Sequence, residues 1–274
     1  MDIVELQHIY AGHPNAKALA AEWENPSVRT VFLGGLHTSA SPLFFSALVK
    51  EQSHTFVFIL SDLEEAGHFY HDLVQINGDA EVLMFPSSYR RAIKYGQKDA
   101  AYEILRTEVL SRLQKQEKVC IVTYPDALAE KVVSQKDLAG NTLQVEVGQC
   151  IGTDVLVDRL LDDGFQQVDY VYEPGQFALR GSIVDVFSFA SEYRYRIDFF
   201  GDEVDSVRTF EVETQLSKEK KQSVSIIPEL TAMEGGEYVS FFDFLPQDTI
   251  LGMKDFLWIR ERIETIHGEA VSPL

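Results

Sequence analysis

Short apolar runs alternate with longer helix-like segments through the first half of the chain. Residues 55–60, 81–85 and 119–123 are almost wholly apolar, and residues 28–33 form a similar run that ends at a Gly-Gly pair. Runs of this length, apolar on both sides, are typical of strands in a parallel sheet that is covered on both faces. The pattern predicts a doubly wound α/β domain.

Helices are predicted between these strands. Residues 16–23 and 42–49 are rich in helix formers, and Pro42 suits a first helical turn. Asp62 after Ser61 offers an N-cap for a helix over residues 63–76. The longest helical pattern covers residues 97–114, and a short helix is expected from Pro125.

Beyond about residue 140 the pattern changes to strand-like runs separated by turn residues. One more helix is predicted over residues 153–161, and residues 168–210 read as an antiparallel meander. The charged run at 218–221 (KEKK) is interpreted as a connector. A strand candidate at 223–227 and a helix candidate at 256–266 follow.

Composition and charge narrow the class of protein. The 274 residues are 45% hydrophobic, so the chain can bury a sizeable core, and 24 basic against 43 acidic residues give a net charge of −19. Such an acidic surface repels phosphate backbones, so a dedicated DNA-binding domain is not expected and a protein partner is favoured. No apolar window of about 18 residues and no secretory signal are present, which predicts a cytoplasmic chain without a membrane partner.

The loop after the first predicted strand has the position of a phosphate-binding loop but not its residues. A P-loop reads GxxxxGK[ST], in which the lysine contacts phosphate and the hydroxyl contacts Mg²⁺. The sequence that starts at Gly35 has Ala40, Ser41 and Pro42 where glycine, lysine and the hydroxyl residue are required. We therefore interpret the loop as degenerate and expect no nucleotide there.

Other groups of residues give weaker evidence for a metal-binding or catalytic site. His68 and His71, one turn after Glu64 and Glu65, could ligate a metal ion, but such residues are far more common on a solvated helix face, which is the favoured interpretation. His37 beside a threonine and a serine lacks the surroundings of a nucleophile elbow. The two cysteines form no disulfide framework or metal motif, and Cys120, inside an apolar strand, is expected to be an inert core thiol. No catalytic or metal-binding residue is predicted.

The meander contains a more informative strand. Side chains alternate across a strand, so Tyr195, Ile197 and Phe199 form one face and are expected to point to the core. The opposite face carries the remaining side chains of the strand, which are Arg194, Arg196, Asp198 and Phe200.

A phenylalanine beside arginines on a charged face suggests a docking patch, which Arg180 from an earlier strand could join. The alternative also stays open at this point. Phe200 could cover a strand end, and the arginines could pair with Asp198, Glu203 or Asp205.

The same residues resemble a known family. The run EPGQFALRGSIVDVF (173–187), followed by YRIDFFGDEV (195–204) and RTF (208–210), resembles the N-terminal module of the bacterial transcription-repair coupling factor (Mfd) family. That module is similar to the excision-repair protein UvrB. The resemblance is specific from about Phe85 to Pro228, and before Phe85 it depends on element order and the degenerate loop.

Two departures distinguish the sequence from UvrB. UvrB keeps an intact phosphate loop, and it inserts an aromatic-rich hairpin that probes damage after its third strand. Here Met84, Phe85 and Pro86 lead through residues 87–91 directly towards the predicted helix from residue 97, which leaves no room for that hairpin.

The resemblance implies a fold, which is a degenerate P-loop-type parallel-sheet domain (UvrB-like domain 1) with an inserted small α+β domain (UvrB-like domain 2). The expected segments are residues 1–139 for the first part of domain 1, 140–225 for the inserted domain and 226–274 for the return segment.

It also implies a function, which is a non-catalytic adaptor that binds UvrA and recruits nucleotide excision repair to RNA polymerase stalled at DNA lesions. In the family, two arginines and an aromatic dock on UvrA, and by motif position these are Arg180, Arg196 and Phe200. The alternative is a UvrB-type, ATP-dependent damage-recognition subunit, which micromolar ATP binding would support.

Longer members of the family imply further partners. They are ATP-dependent DNA translocases that contact RNA polymerase and double-stranded DNA through other domains, which also hold ATP and Mg²⁺. The UvrA-binding surface is expected to contact a C-terminal domain of the same protein, which masks it. No cofactor is expected in the present segment.

Overall fold

The computed structural model describes residues 3–51, 54–78, 81–88, 100–211, 214–230 and 235–271. Its helices are α1 (Ile3–Gly12), α2 (Pro14–Trp23), α3 (Ala40–Glu51), α4 (Leu63–Asn77), α5 (Ala100–Gln114), α6 (Pro125–Leu128), α7 (Gln135–Gly140), α8 (Thr153–Asp162) and α9 (Phe256–Val271). Its strands are β1 (Phe56–Ile59), β2 (Val82–Phe85), β3 (Cys120–Thr123), β4 (Val132–Val133), β5 (Leu143–Glu146), β6 (Gln166–Gln167), β7 (Gln176–Arg180), β8 (Ile183–Val186), β9 (Arg194–Phe200), β10 (Glu203–Phe210), β11 (Ser217–Lys221), β12 (Ser223–Ile226), β13 (Tyr238–Val239) and β14 (Ile250–Met253).

The chain divides into two compact units. The first comprises Met1–Ser87, Arg112–Glu130 and Ser240–Leu274, so it takes residues from both ends of the chain. The second comprises Ser88–Ser111 and Lys131–Val239. The segment predicted as the inserted domain, residues 140–225, lies within the second unit.

The first unit contains a parallel sheet in the order β14-β1-β3-β2. Every residue of β1, β2 and β3 is buried, as the apolar runs predict for strands of this kind. The predicted α/β class with a parallel sheet is therefore confirmed. Among the described helices, none is long and apolar enough to cross a bilayer.

The prediction of a strand at residues 28–33 is wrong. These residues belong to no strand, and the side chain of Phe32 is 94% exposed. The position beside β1 is occupied instead by β14, which comes from the other end of the chain, while β3 occupies the opposite side. A six-residue run with four apolar residues forms a buried strand only where a neighbouring strand offers free backbone groups.

The helix starts agree with their sequence signals. The Asp62 carboxylate accepts a hydrogen bond of 2.9 Å from the backbone N–H of Glu65 at the start of α4, as an N-cap does. Pro42 lies in the first turn of α3, where its missing N–H removes no helical bond. The start predicted for the longest helix, residue 97, and part of the segment judged too short for a hairpin fall in residues 89–99, outside the described residues.

The second unit contains a six-stranded sheet in the order β11-β10-β9-β8-β7-β6. Strands β7 to β11 pair antiparallel, which confirms the predicted meander. Its inner face packs against Leu156 and Leu160 of α8 in a core that includes Phe177, Val184 and Ile197.

The interpretation of residues 218–221 as a connector is wrong, because they belong to β11. This strand pairs with β10, and Lys220 lies opposite Arg208. All five of its residues are exposed. A charged edge strand satisfies the backbone of its neighbour while its lysines discourage pairing with another chain, so the charge run is compatible with a strand at this position.

Candidate functional site

The outer face of the six-stranded sheet, opposite the core with α8, brings the three predicted docking residues together. In the register of β8 and β9, Asp185 lies opposite Arg196 and Ile183 opposite Asp198. Arg180 of β7 lies opposite Ile183. Because side chains alternate along each strand, Arg180, Asp185, Arg196 and Phe200 all project from this face.

The predicted sidedness of β9 is confirmed. Ile197 and Phe199, from the inner face, are 0% and 5% exposed and belong to the core with α8, and Tyr195 packs against that core.

A buried carboxylate joins the two arginines. Asp185 is only 1% exposed. Its Oδ1 accepts a hydrogen bond of 2.7 Å from Nε of Arg196, and its Oδ2 accepts one of 2.8 Å from Nη2 of the same guanidinium. Oδ2 also accepts a hydrogen bond from Nη2 of Arg180. Asp185 is therefore the shared counter-ion of both arginines.

The alternative left open by the sequence, in which these arginines pair with Asp198, Glu203 or Asp205, is not what the structure shows for Arg180 and Arg196. Arg180 and Arg196 pair with Asp185, while Asp198 lies 3.5 Å from Nη2 of Arg208. The alternation pattern could not identify Asp185, since that residue becomes a neighbour of Arg196 only through the register of β8 and β9.

Arg196 is enclosed on several sides. Its Nη1 donates to the backbone oxygen of Gln215 and its Nη2 to Oε1 of the same residue, both at 3.2 Å. Its guanidinium carbon lies 4.5 Å from the centroid of the Phe210 ring. The hydrogen bonds to Asp185 raise the pKa of Arg196 above its usual value, which favours its charged form.

Arg180 and Phe200 are more accessible. The Arg180 side chain is 38% exposed, and its guanidinium carbon lies 5.4 Å from the centroid of the Tyr170 ring, which is itself half exposed. Phe200 ends β9, just before the turn at Gly201, and is 84% exposed. This phenyl ring leaves apolar surface area exposed to solvent, where it is not buried against the rest of the fold.

Residues 143–231 match the family model of the UvrB interaction domain. The chain is 31% identical over 196 residues to the transcription-repair-coupling factor of Bacillus subtilis, which covers 72% of the chain and 17% of the relative. It is 27% identical over 198 residues to that of Escherichia coli, with the same coverage, and 26% identical over 192 residues to that of Staphylococcus aureus, covering 70% and 16%.

The resemblance to the transcription-repair coupling factor family is confirmed. The chain spans about a sixth of the length of these curated relatives. The segment that matches the UvrB interaction domain contains every residue of the outer face described above, because β7 to β11 all lie between residues 143 and 231.

The loop interpreted as degenerate lies in the first unit, outside the matched segment. Gly35 has a positive φ of 86°, and the loop enters α3 at Ala40, so Ser41 and Pro42 belong to the first helical turn. No lysine or arginine occurs in residues 34–39. The loop therefore offers no lysine or arginine side chain to a phosphate from within its own residues.

Two residues among the weaker candidates, Glu65 and Cys120, have defined surroundings in the structure. Glu65 accepts hydrogen bonds from the backbone of Ser61 and from Lys254. The described residues contain no group of three or more His, Cys, Asp or Glu side chains that could hold a metal ion. Cys120 is 1% exposed in β3, and burial raises the pKa of its thiol, as expected for an inert core cysteine.

Proposed function

We propose that the chain is the N-terminal, non-catalytic module of a transcription-repair coupling factor, and that the outer face of its second unit binds UvrA. The observation that carries this proposal is the exposure of Phe200, 84%, on the same sheet face as Arg180 and Arg196. The match of residues 143–231 to the UvrB interaction domain supports it. The family resemblance identifies the same three residues as the docking group.

The chemistry of the face suits a protein partner. Phenylalanine and arginine are favoured anchors of interfaces, since a ring can fill an apolar pocket and a guanidinium can donate several hydrogen bonds to carboxylate or carbonyl oxygens. Arg180, Arg196 and Arg208 lie on this face of a chain whose net charge is −19. Asp185 and Asp198 on the same face offset part of this positive charge, so the face repels an acidic partner less than the rest of the molecule does.

In the whole protein we propose that this module brings nucleotide excision repair to RNA polymerase stalled at a lesion. The ATP-driven DNA translocase, the RNA polymerase site and the duplex DNA site would lie in other parts of that protein, in the cytoplasm. A C-terminal domain would cover the UvrA-binding face until it is needed. Ser41 stands where a P-loop has the lysine that contacts phosphate. Its presence there supports a segment without ATP chemistry.

A titration of UvrA with the chain tests this proposal. We expect a complex, and we expect Phe200→Ala to weaken it about 10- to 100-fold, as loss of an interface anchor does. Because Phe200 is almost fully exposed, its loss leaves the fold intact. Circular dichroism checks this.

Val155→Ala is the matched control. Val155 is 58% exposed on α8, which packs against the opposite face of the sheet. Its substitution should leave the affinity unchanged. Absence of a complex, or equal affinities of the Phe200→Ala variant and the unmodified chain, would contradict the proposal.

A further inference from the structure

The two arginines of the docking group differ in how many of their N–H donors remain available to a partner. A guanidinium carries five N–H donors. Arg196 directs its Nε and Nη2 at Asp185 and its Nη1 and Nη2 at Gln215, so these bonds account for four donors. The Phe210 ring covers one face of the group, and the side chain is 15% exposed.

Arg180 is held at fewer points. Among the described residues it has one hydrogen-bonded partner, Asp185, through Nη2. The other donors of the group are not engaged there, and 38% of the side chain is exposed. The Tyr170 ring, 5.4 Å from the guanidinium carbon, limits the directions in which the side chain can point.

The position of Asp185 depends on Arg196. A carboxylate that is 1% exposed needs a cation and hydrogen-bond donors, because burial of an unpaired charge is costly. The two parallel bonds from Arg196 fix the plane of the carboxylate, as bidentate pairs do. The oxygen that receives Nη2 of Arg180 is one of the two oxygens fixed in this way.

We propose that Arg196 is a positioning residue that does not touch UvrA: it fixes Asp185, Asp185 orients Arg180, and Arg180 with Phe200 makes the contact. This inference rests on the proposed function of the face. It assigns Asp185 a role in binding, and it separates the three docking residues into two that contact the partner, Arg180 and Phe200, and one that positions Arg180 through Asp185.

Double-mutant cycles on the 274-residue chain test the proposal, with the affinity for UvrA as the readout. Arg196→Lys keeps the charge but cannot form the two parallel bonds. We expect it to weaken binding about tenfold in the unmodified chain and again about tenfold in the Phe200→Ala chain. In the Arg180→Ala chain we expect a change of less than about twofold, because the group that Arg196 orients is then absent.

Asp185→Asn keeps the shape of the side chain and should weaken binding in the unmodified and Phe200→Ala chains but not in the Arg180→Ala chain. If Arg196→Lys does not fold, Asp185→Asn takes its place in the cycles. A purely structural role would weaken binding equally in the Arg180→Ala and Phe200→Ala chains. If Arg196→Lys lowers the affinity for UvrA equally in those two chains, the proposal is overturned, since direct contact of Arg196 with UvrA gives the same result. If Arg180→Ala and Phe200→Ala both bind like the unmodified chain, the proposed function itself has failed.

The unmodified chain provides a second measurement by nuclear magnetic resonance. The Nε proton of Arg196 is bonded to a buried carboxylate, so it should exchange with solvent more slowly than the Nε proton of Arg180. Equal exchange rates of the two protons would also overturn the proposal.

Discussion

At the scale of single residues, the outer face depends on one buried carboxylate. Alternation along β9 predicted correctly that Arg196 and Phe200 share a face, because that needs only the period of a strand. It could not predict that Arg196 bonds to Asp185. That contact depends on the register of β8 against β9, and Asp198, which is nearer in sequence, is a partner of Arg208 instead.

The burial of Asp185 makes a prediction about stability. Asp185→Ala should lower the free energy of unfolding by about 3 kcal/mol, because it leaves the largely buried Arg196 side chain without its bidentate partner. Asp198→Ala is the control. Its side chain is 28% exposed and lies 3.5 Å from Arg208, so its removal should cost less than about 1 kcal/mol.

Urea unfolding followed by circular dichroism measures both variants. If Asp185→Ala and Asp198→Ala lower the free energy of unfolding by similar amounts, the ion pairs of Asp185 contribute no more to stability than an ordinary surface ion pair.

At the scale of elements, apolar and charged patterns predicted most helices and strands but misjudged two segments. Residues 28–33 have the composition of a buried strand, yet β14 and β3 already occupy both sides of β1. Residues 218–221 have the composition of a loop, yet they lie at the edge of a sheet as part of β11. In both cases the outcome depends on which neighbour is available, and a local pattern contains no information about that.

The exposure of residues 28–33 can be tested with two phenylalanines of the same unit. Phe32 is 94% exposed and Phe56 of β1 is 1% exposed. Phe32→Ala should change the free energy of unfolding by less than about 0.5 kcal/mol, while Phe56→Ala should lower it by about 3–5 kcal/mol because it opens a cavity. Thermal or urea unfolding gives both values. A loss for Phe32→Ala near that for Phe56→Ala would place residues 28–33 in a packed core.

At the scale of the whole molecule, the sequence predicted a parallel-sheet unit and a meander unit, and both are present. The change of pattern near residue 140 identified the meander, because antiparallel strands joined by short turns differ from strands joined by helices. Beyond the predicted segment 140–225, the second unit also includes Ser88–Ser111 and the flanking residues 131–139 and 226–239. Only three-dimensional contacts, such as those of Ile104 with the cluster of Ala178 and Phe187, reveal that addition.

Hydrogen–deuterium exchange of the full 274-residue chain, with and without UvrA, tests the location of the proposed docking face most directly. We expect protection by UvrA at the two turns that border this face, Arg180 to Ile183 and Phe200 to Glu203, where residues 180–182 and 200–203 are exposed in the free chain. The loop from Gly34 to Pro42 should be unchanged. Protection confined to that loop, with both turns unaffected in a formed complex, would contradict the assignment of the outer face as the UvrA-binding surface.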